Sequence, residues 1–271
     1  MELKVFLTGF QVLDFPVTMS TEATASVCTN CTSHKEWVAK KVHSFVGVVP
    51  LGVYLVLHLT RNASSLAGPQ AFDEAVQATW ANPLNYVWVA LLVYLPLAFH
   101  SIYGIKLMIE SEKTNVFKHF NLENVRYFFQ RLSGLGVLGF LFAHIFLTRV
   151  HVSMGWLQDA ATNPSGQVTY NYFATHMTDW SKGTAIVYGL GILGTVYHLA
   201  NGLTTFCISW GITTGAKAMK KAEIVALLFG LTMLAVGYAA MVGFFMYDFT
   251  EFITPGGPMA PEGFLGKMMG H

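Results

Sequence analysis

Four histidines lie inside long apolar stretches of the sequence, at positions His58, His100, His144 and His198. A ring nitrogen without a hydrogen-bond or metal partner is costly to bury among apolar side chains. The stretch LPLAFHSIYG, residues 95–104, shows the problem, because it lies in a run of 31 residues without Asp, Glu, Lys or Arg. Imidazole is also the commonest metal ligand in proteins, so these rings indicate metal binding, proton transfer or specialised packing.

The composition indicates that these histidines belong to a membrane protein. Of the 271 residues, 53% are hydrophobic and only 11% are charged, whereas a soluble domain carries about 25% charged residues. The mean hydropathy is +0.47. The net charge of +1 comes without a basic stripe, which gives no indication of nucleic-acid binding. Residues 1–24 lack the pattern of a cleavable secretory signal, so the first span is expected to direct its own insertion.

Five uncharged runs predict an all-α, five-helix integral membrane bundle, because a helix crosses the hydrocarbon in about 20 apolar residues. The second and fourth runs exceed one span, so part of each is expected in a loop or at the interface. Helix II is expected to start at Asn82-Pro83, and mild kinks are expected at Pro50 and Pro96. The runs are Val42–Thr60, Ala75–Ile105, Leu132–Thr148, Gly183–Ala216 and Ile224–Tyr247.

The distribution of Lys and Arg predicts the orientation of the bundle. With the N-terminus in the cytoplasm, the inner side holds twelve of these residues and the outer side four, which agrees with the positive-inside rule. The C-terminus is then outside. The predicted parts are a cytoplasmic tail over 1–36, a transmembrane domain over 37–250 and an irregular C-terminal tail over 251–271. The predicted connections are a basic inner loop over 106–131 and an outer loop over 151–182.

The N-terminal tail contains a C-x-x-C pair, Cys28 and Cys31, with His34 three residues further on. A covalent c-type haem site needs the histidine directly after the second cysteine, where this chain has Thr32. A structural zinc site needs four ligands, and this stretch offers three. An incidental pair and a metal or redox role both remain open.

The four intramembrane histidines fall into two matched levels. With a rise of about 1.5 Å per residue, His58 and His144 lie roughly 5 and 8 Å below the outer boundary. By the same rise, His100 and His198 lie roughly 22 and 24 Å below it. Each level therefore contains one histidine from each of two different spans.

Two haems, each held by two histidines, fit this arrangement. Axial ligands approach a haem iron from opposite faces, so they must lie at one height on separate helices, and iron–imidazole bonds offset the cost of burying the rings. A proton relay, a di-metal transport site and plain packing remain alternatives, although no span interior supplies the Asp or Glu that a relay usually includes. Small residues that would suit either a macrocycle or close helix packing are Ser133, Gly134, Gly136, Gly139, Gly189, Gly191, Gly194, Ala200 and Gly202.

The sequence resembles the cytochrome b membrane anchor of succinate dehydrogenase and fumarate reductase, in the form in which one chain carries five helices and two haems. Four segments carry the resemblance and cover the first four helices, from about 40 to 214. They are KVHSFVGVVPLGVYLVLHL (41–59), LPLAFHSIYGI (95–105), FFQRLSGLGVLGFLFAHIFLTR (128–149) and VYHLANGLTTFCISWGIT (196–213).

The resemblance implies which residues hold two haem b groups. It implies that His58 and His144 hold the outer haem and that His100 and His198 hold the inner one. It also makes some polar residues candidates for contacts with the haem propionates, since a guanidinium suits carboxylate pairing. These are His43, Ser44 and Arg131 at the inner haem and Arg61 at the outer one, with a helix cap, positive-inside anchoring and an interface marker as the respective alternatives for Ser44, Arg131 and Arg61.

The resemblance also implies the function. In such complexes a flavoprotein subunit oxidises succinate or reduces fumarate, and an iron–sulfur subunit exchanges electrons with the membrane anchor. The anchor passes them to or from a quinone, typically menaquinone, in the cytoplasmic membrane of a prokaryote. The chain itself is then an electron-transfer subunit without a succinate site. Glu74 and Asp73, between helices I and II, are the candidate acids for quinone protonation, with a solvated loop as the alternative.

One position departs from the family pattern, and two other functions remain as rivals. Some family members carry a Glu two residues before the inner ligand in helix IV, where this chain has Val196. A compensating proton route through that position is therefore not supported. The rivals are a di-haem cytochrome b that serves a hydrogenase or formate dehydrogenase, and a haem-free transporter with a histidine-lined path.

Overall fold

The computed structural model describes residues 33–110, 121–146, 148, 168–179 and 183–247. The side chains of residues 168, 169, 171 and 172 are not part of that description. The tail that contains Cys28 and Cys31, residues 111–120 of the inner loop, the first part of the outer loop and the C-terminal tail lie outside the described residues. The predictions for those segments therefore remain predictions.

The described residues form helices and no strands, which confirms the all-α prediction. The helices are α1 (His34–Val48), α2 (Pro50–Asn62), α3 (Pro69–Trp80), α4 (Leu84–Val89), α5 (Leu95–Glu110), α6 (Leu122–Ile145), α7 (Val168–Thr178), α8 (Thr184–Ser209) and α9 (Ala216–Met246). A short 3₁₀ segment, Ala63–Ala67, follows α2, and a π-helical segment, Ala90–Tyr94, joins α4 to α5.

Five stretches are long and apolar enough to cross a membrane, which confirms the five-span prediction. Many apolar side chains on these stretches are exposed, for example Ile102 at 71% and Phe142 at 70%. An apolar outer surface is expected where helices face lipid. The chain is therefore a multi-pass membrane protein. The stretches are His34–Ala67, Leu84–Glu110, Leu122–Ile145, Thr184–Ser209 and Ala216–Met246.

Both prolines inside the spans coincide with an irregularity of the helix. Pro50 begins α2 directly after Val49, which separates α2 from α1. Pro96 follows the π-helical segment, in which the N–H of Leu95 bonds to the carbonyl of Ala90. Proline has no N–H to donate to the preceding turn, so a nearby adjustment of the helix is expected.

Two helices lie in segments that the sequence predicted as connections. α3 lies between the first and second spans, and α7 lies within the predicted outer loop over 151–182. Both pack with the end of α9 in a core that contains Phe72, Tyr170 and Phe244. The Oγ of Ser65 donates to the carbonyl of Ala240 (2.7 Å) and the hydroxyl of Tyr170 to that of Gly243 (2.7 Å). These contacts fix α3 and α7 against the last span.

Candidate functional site

The four intramembrane histidines lie in the two pairs that the depth argument predicts. The ring centroids of His58 on α2 and His144 on α6 are 5.7 Å apart, with the ring planes at 82°. The centroids of His100 on α5 and His198 on α8 are 6.1 Å apart, with the planes at 88°. Each pair therefore joins side chains from two different spans.

The distances within the pairs suit one metal atom between two imidazoles. A bond between a metal and an imidazole nitrogen is about 2 Å long, so two such bonds and the radii of two rings come to roughly 6 Å. Among the described residues there is no group of three or more His, Cys, Asp or Glu that could hold a metal ion. Two protein ligands are enough where a macrocycle supplies the other four, as in haem.

Hydrogen bonds hold the Nδ1 atoms of three of the four rings. Nδ1 of His100 lies 3.1 Å from the carbonyl oxygen of His43, and Nδ1 of His198 lies 3.1 Å from that of Gln130. Nδ1 of His144 lies 3.1 Å from the hydroxyl of Tyr188. In the part of the chain that the structure describes, Nε2 of these rings makes no hydrogen bond. Anchored Nδ1 and available Nε2 are what a metal-ligating histidine requires.

His58 has a different environment. A nitrogen of the Arg61 guanidinium lies 3.0 Å from Nδ1 of His58, and the side-chain amide of Asn62 lies 3.2 Å from Nε2. A guanidinium can only donate, so Nδ1 must accept and the proton of the neutral ring lies on Nε2. Metal binding through Nε2 at this ring therefore requires Arg61 to release Nδ1.

A cavity of about 780 Å³ connects the two pairs. All four paired histidines line it, together with apolar side chains from the spans and from α3. Two glycines keep it open beside the inner pair. A Cβ added at Gly47 would lie 2.5 Å from Cε1 of His100, and one added at Gly134 would lie 2.9 Å from Cε1 of His198. An apolar cavity with a few polar groups at fixed places is typical of a cofactor site.

One curated relative is similar to this chain over most of its length. The chain is 28% identical over 211 residues to the succinate dehydrogenase cytochrome b558 subunit of Bacillus subtilis, a match that covers 78% of this chain and 98% of the relative. No family model matches the chain. This similarity supports the succinate dehydrogenase cytochrome b membrane-anchor family. The resemblance found in the sequence is thereby confirmed.

The glycines divide between the two roles that the sequence left open, a position beside the cavity and close helix packing. Gly134 lies against the ring of His198, whereas Gly136 and Gly139 are exposed and, among the described residues, have no neighbour within 4 Å of an added Cβ. Gly191 gives room to Phe140, since an added Cβ would lie 2.4 Å from its ring, and Gly194 faces Val137. Most of the small residues therefore serve helix packing or face outward.

The candidate propionate residues of the inner site lie at the inner end of the cavity. His43, Ser44 and Arg131 all line it. The ring of His43 stacks on that of His100, with centroids 4.1 Å apart and planes at 3°. The guanidinium of Arg131 lies over the ring of Tyr127, 3.8 Å from its centroid, and also bonds its hydroxyl. His43 therefore lies directly against His100, and Ser44 and Arg131 line the same cavity.

The two outer acids lie in different environments, and neither lines the cavity. Glu74 is exposed and accepts a hydrogen bond from Nε2 of Gln70 (2.8 Å). Asp73 is 3% exposed, and its Oδ1 accepts from the backbone N–H of Tyr170 (2.9 Å). Its Oδ2 is buried without a partner among the described residues. Burial raises the pKa of Asp73 to about 7, although the hydrogen bond from Tyr170 opposes this.

A polar network around His198 was not predicted from the sequence. Arg126 and Gln130 on α6 contact Asn201 on α8, and Arg126 also pairs with Glu223 on α9. The signal was present in the spacing. Arg126 and Gln130 are four residues apart, and His198 and Asn201 are three apart, so each couple shares one face of its helix.

Proposed function

We propose that this chain carries electrons through two haem b groups between the iron–sulfur subunit of succinate dehydrogenase and a quinone. His100 and His198 would hold the inner haem, and His58 and His144 the outer one. The observation that carries the proposal is the pair of imidazole couples, with centroids 5.7 and 6.1 Å apart, across one apolar cavity. The similarity to a succinate dehydrogenase cytochrome b558 subunit supports the same chemistry.

Each haem supplies one-electron redox chemistry, and the chain supplies its position and surroundings. The backbone carbonyls of His43 and Gln130 accept the Nδ1 protons of His100 and His198. This leaves Nε2 of both rings as the ligand atom and makes the imidazoles more basic. Tyr188 orients His144 at the outer site. The surrounding apolar side chains exclude water, so electrons can be transferred without competing proton chemistry.

At the outer site, metal binding by His58 would free Arg61 to neutralise a haem propionate. Its guanidinium must release Nδ1 of His58 before Nε2 can bind a metal. A haem propionate would offer the released guanidinium a carboxylate partner, and such charge-assisted pairs are the stronger hydrogen bonds. His43, Ser44 and Arg131 would meet the propionates at the inner end of the same cavity.

Quinone would react near the outer haem, and Asp73 is the better candidate acid there. A group that exchanges protons efficiently near neutral pH has a pKa close to 7, and burial brings Asp73 to that range. Glu74 is the more accessible alternative. The family resemblance favours menaquinone as the substrate. Phe72 and Val76 on the same helix line the cavity that the outer pair also lines. Helix α3 therefore carries both the acid and part of the wall of that cavity.

The proposed orientation places the N-terminus in the cytoplasm and the C-terminus outside. A flavoprotein and an iron–sulfur subunit would bind at the inner face, where the inner loop and the start of α9 carry the positive charges. Electrons that cross from the inner to the outer pair would then move against or along the membrane potential, which is worth about 2.3 kcal/mol per charge per 100 mV. No compensating carboxylate is present at Val196.

A dithionite-reduced minus oxidised absorbance spectrum of the purified complex tests the proposal. Bands of haem b at two haems per chain, together with copurified flavoprotein and iron–sulfur subunits, are expected. A complex without haem bands would contradict it. In energised vesicles, succinate–quinone activity is expected to respond to an uncoupler, and an unchanged rate would contradict the transmembrane electron path.

A further inference from the structure

The side chains around His198 form a continuous chain of hydrogen bonds that leads to the inner end of α9. Glu223 pairs with Nη1 of Arg126 (2.5 Å), and Nε of Arg126 donates to Oδ1 of Asn201 (3.0 Å). Nδ2 of Asn201 donates to Oε1 of Gln130 (2.8 Å). Nε2 of Gln130 lies 3.3 Å from both the carbonyl oxygen and Nδ1 of His198.

Arg126 determines which group donates and which accepts in every hydrogen bond of this network. A guanidinium has no acceptor, so the atom of Asn201 that faces it must be the oxygen. The amide nitrogen of Asn201 is then turned towards Gln130, which must present its own oxygen. The amide nitrogen of Gln130 is left facing His198. Because Nδ1 of His198 already donates to the carbonyl of Gln130, this nitrogen donates to the carbonyl of His198.

The network joins residues on three spans, where a buried polar group without a hydrogen-bond partner costs free energy. Asn201 is 9% exposed, whereas the side chain of Glu223 is 43% exposed. Loss of one member leaves the next amide group buried and unpaired, which costs more than the bond itself contributes. The network therefore holds α6 and α8 in one register, and this register places the Gln130 carbonyl opposite Nδ1 of His198.

We infer that Arg126, Asn201 and Gln130 are positioning residues that fix the orientation and tautomer of His198 and so set the haem affinity and redox potential of the inner site alone. The inference rests on the proposed function, since it assumes that His198 binds haem. Partners of a ligating histidine commonly alter metal affinity about 10–100-fold when they are removed. None of the three residues is in hydrogen-bond contact with the outer pair.

Asn201→Leu in the complete complex is the principal test. It removes both hydrogen bonds of the Asn201 side-chain amide and leaves all charges in place. We expect the retention of one haem to fall about 10–100-fold, or its potential to move upward if the haem is retained. The upward direction follows because a looser bond from Nδ1 to the Gln130 carbonyl makes the ring less basic, which disfavours ferric iron. The other haem is expected to keep its potential. The measurements are haem content and a redox titration that separates the two components.

Two control variants separate this effect from general loss of packing. Thr232→Val removes an exposed hydroxyl on α9 whose one hydrogen bond among the described residues is to the carbonyl of Leu228, and it is expected to change neither haem. Tyr188→Phe removes the hydroxyl at Nδ1 of His144 and is expected to shift only the component that Asn201→Leu leaves unchanged.

Glu223 provides a second test that does not place a new side chain in the bundle interior. Glu223→Gln keeps an oxygen for Arg126 and is expected to leave the inner component close to its original potential. Glu223→Leu removes that oxygen and is expected to shift the same component as Asn201→Leu, in the same direction and to a smaller extent.

Three results would overturn the inference. They are two components that move together in Asn201→Leu, two unchanged haems in that variant, and identical behaviour of Glu223→Gln and Glu223→Leu. If Asn201→Leu fails to accumulate, the comparison of the two Glu223 variants decides. A wild-type complex without haem would instead contradict the proposed function, so the two failures are distinguishable.

Discussion

The inner and outer histidine pairs have similar distances but different supports. Backbone carbonyls hold Nδ1 of both inner rings, whereas Tyr188 and Arg61 lie at Nδ1 of the outer rings. A carbonyl can only accept, so it fixes one tautomer, while a hydroxyl can donate or accept. The inner pair is therefore held directly by the backbone of α1 and α6, with the Arg126 network supporting the register of α6 and α8, whereas the outer pair is held directly by side chains.

This difference matches the tasks that we propose for the two sites. The inner site would exchange only electrons with an iron–sulfur subunit, for which a fixed ligand geometry is sufficient. The outer site would lie near a quinone, whose reduction couples electrons to protons. Arg61 and Tyr188 contact the outer rings, and the acid Asp73 is buried on α3, so this part of the molecule holds groups that can change partners or protonation state.

The largest expected effect comes from removal of a ligand in either pair. His144→Leu is expected to remove the outer haem and His198→Leu the inner one. Each haem would have only two protein ligands, so no other side chain replaces the histidine that is removed. Haem content measured by pyridine haemochrome should fall from two per chain to about one in each variant. A redox titration should show that the two variants retain different components. Loss of the same component from both variants would contradict the pairing of the histidines.

A smaller effect is expected from the glycine beside the inner pair. Gly134→Ala places a Cβ about 2.9 Å from Cε1 of His198, so the ring or helix α6 must shift. Overpacking of this kind costs about 1–3 kcal/mol, and it should lower the thermal stability of the complex and disturb the inner haem spectrum.

Gly136→Ala is the matched control for this substitution, since no atom lies within 4 Å of an added Cβ there. It lies on the same helix and changes the same group. Equal effects of the two variants would show that helix propensity rather than the cavity is responsible.

The last expected effect concerns the outer half and appears as a pH dependence. The pKa of Asp73 is raised from 3.8 to about 7 in the fold, so the folded state binds this proton more tightly than the unfolded state does. Its contribution to stability is then fully present below about pH 4 and is lost as the pH rises to about 7. Asp73→Asn should remove that dependence, which thermal unfolding of the complex between pH 4 and 8 can measure. A slope that persists in the variant would assign it to other groups.

The spans and the histidine couples were predictable from the sequence because both depend on simple lengths. An uncharged run of about 20 apolar residues in a membrane is expected to form a helix, because only helices and closed β-barrels satisfy the backbone hydrogen bonds there. A constant rise per residue then converts position into depth, which places His58 beside His144 and His100 beside His198. The start of the last span was predicted at Ile224, yet α9 begins at Ala216. Lysines favour helix and can extend their charged ends to the interface, so charge does not end a helix there.

The supports of the histidines were not predictable in the same way. Depth indicates which rings share a level, but the angle around each helix decides which side chain touches a ring. Gly134 and Gly136 differ by only two positions and face opposite environments. Asn201 and Gln130 appeared as ordinary polar residues, because their partners lie on other helices. The helices α3 and α7 were predicted as connections, since a short amphipathic helix has no long apolar run.

The π-helical segment Ala90–Tyr94 has a consequence for how sequences related to this chain should be aligned. A π turn accommodates one more residue than an α turn, and one residue corresponds to about 100° of rotation around a helix axis. His100 lies after this segment, so removing a single residue from it would swing the imidazole away from its partner on α8. Counting from the start of α4 with a uniform period of 3.6 therefore misplaces every downstream side chain. Insertions and deletions in relatives should be tolerated on either side of this turn only in compensating combinations.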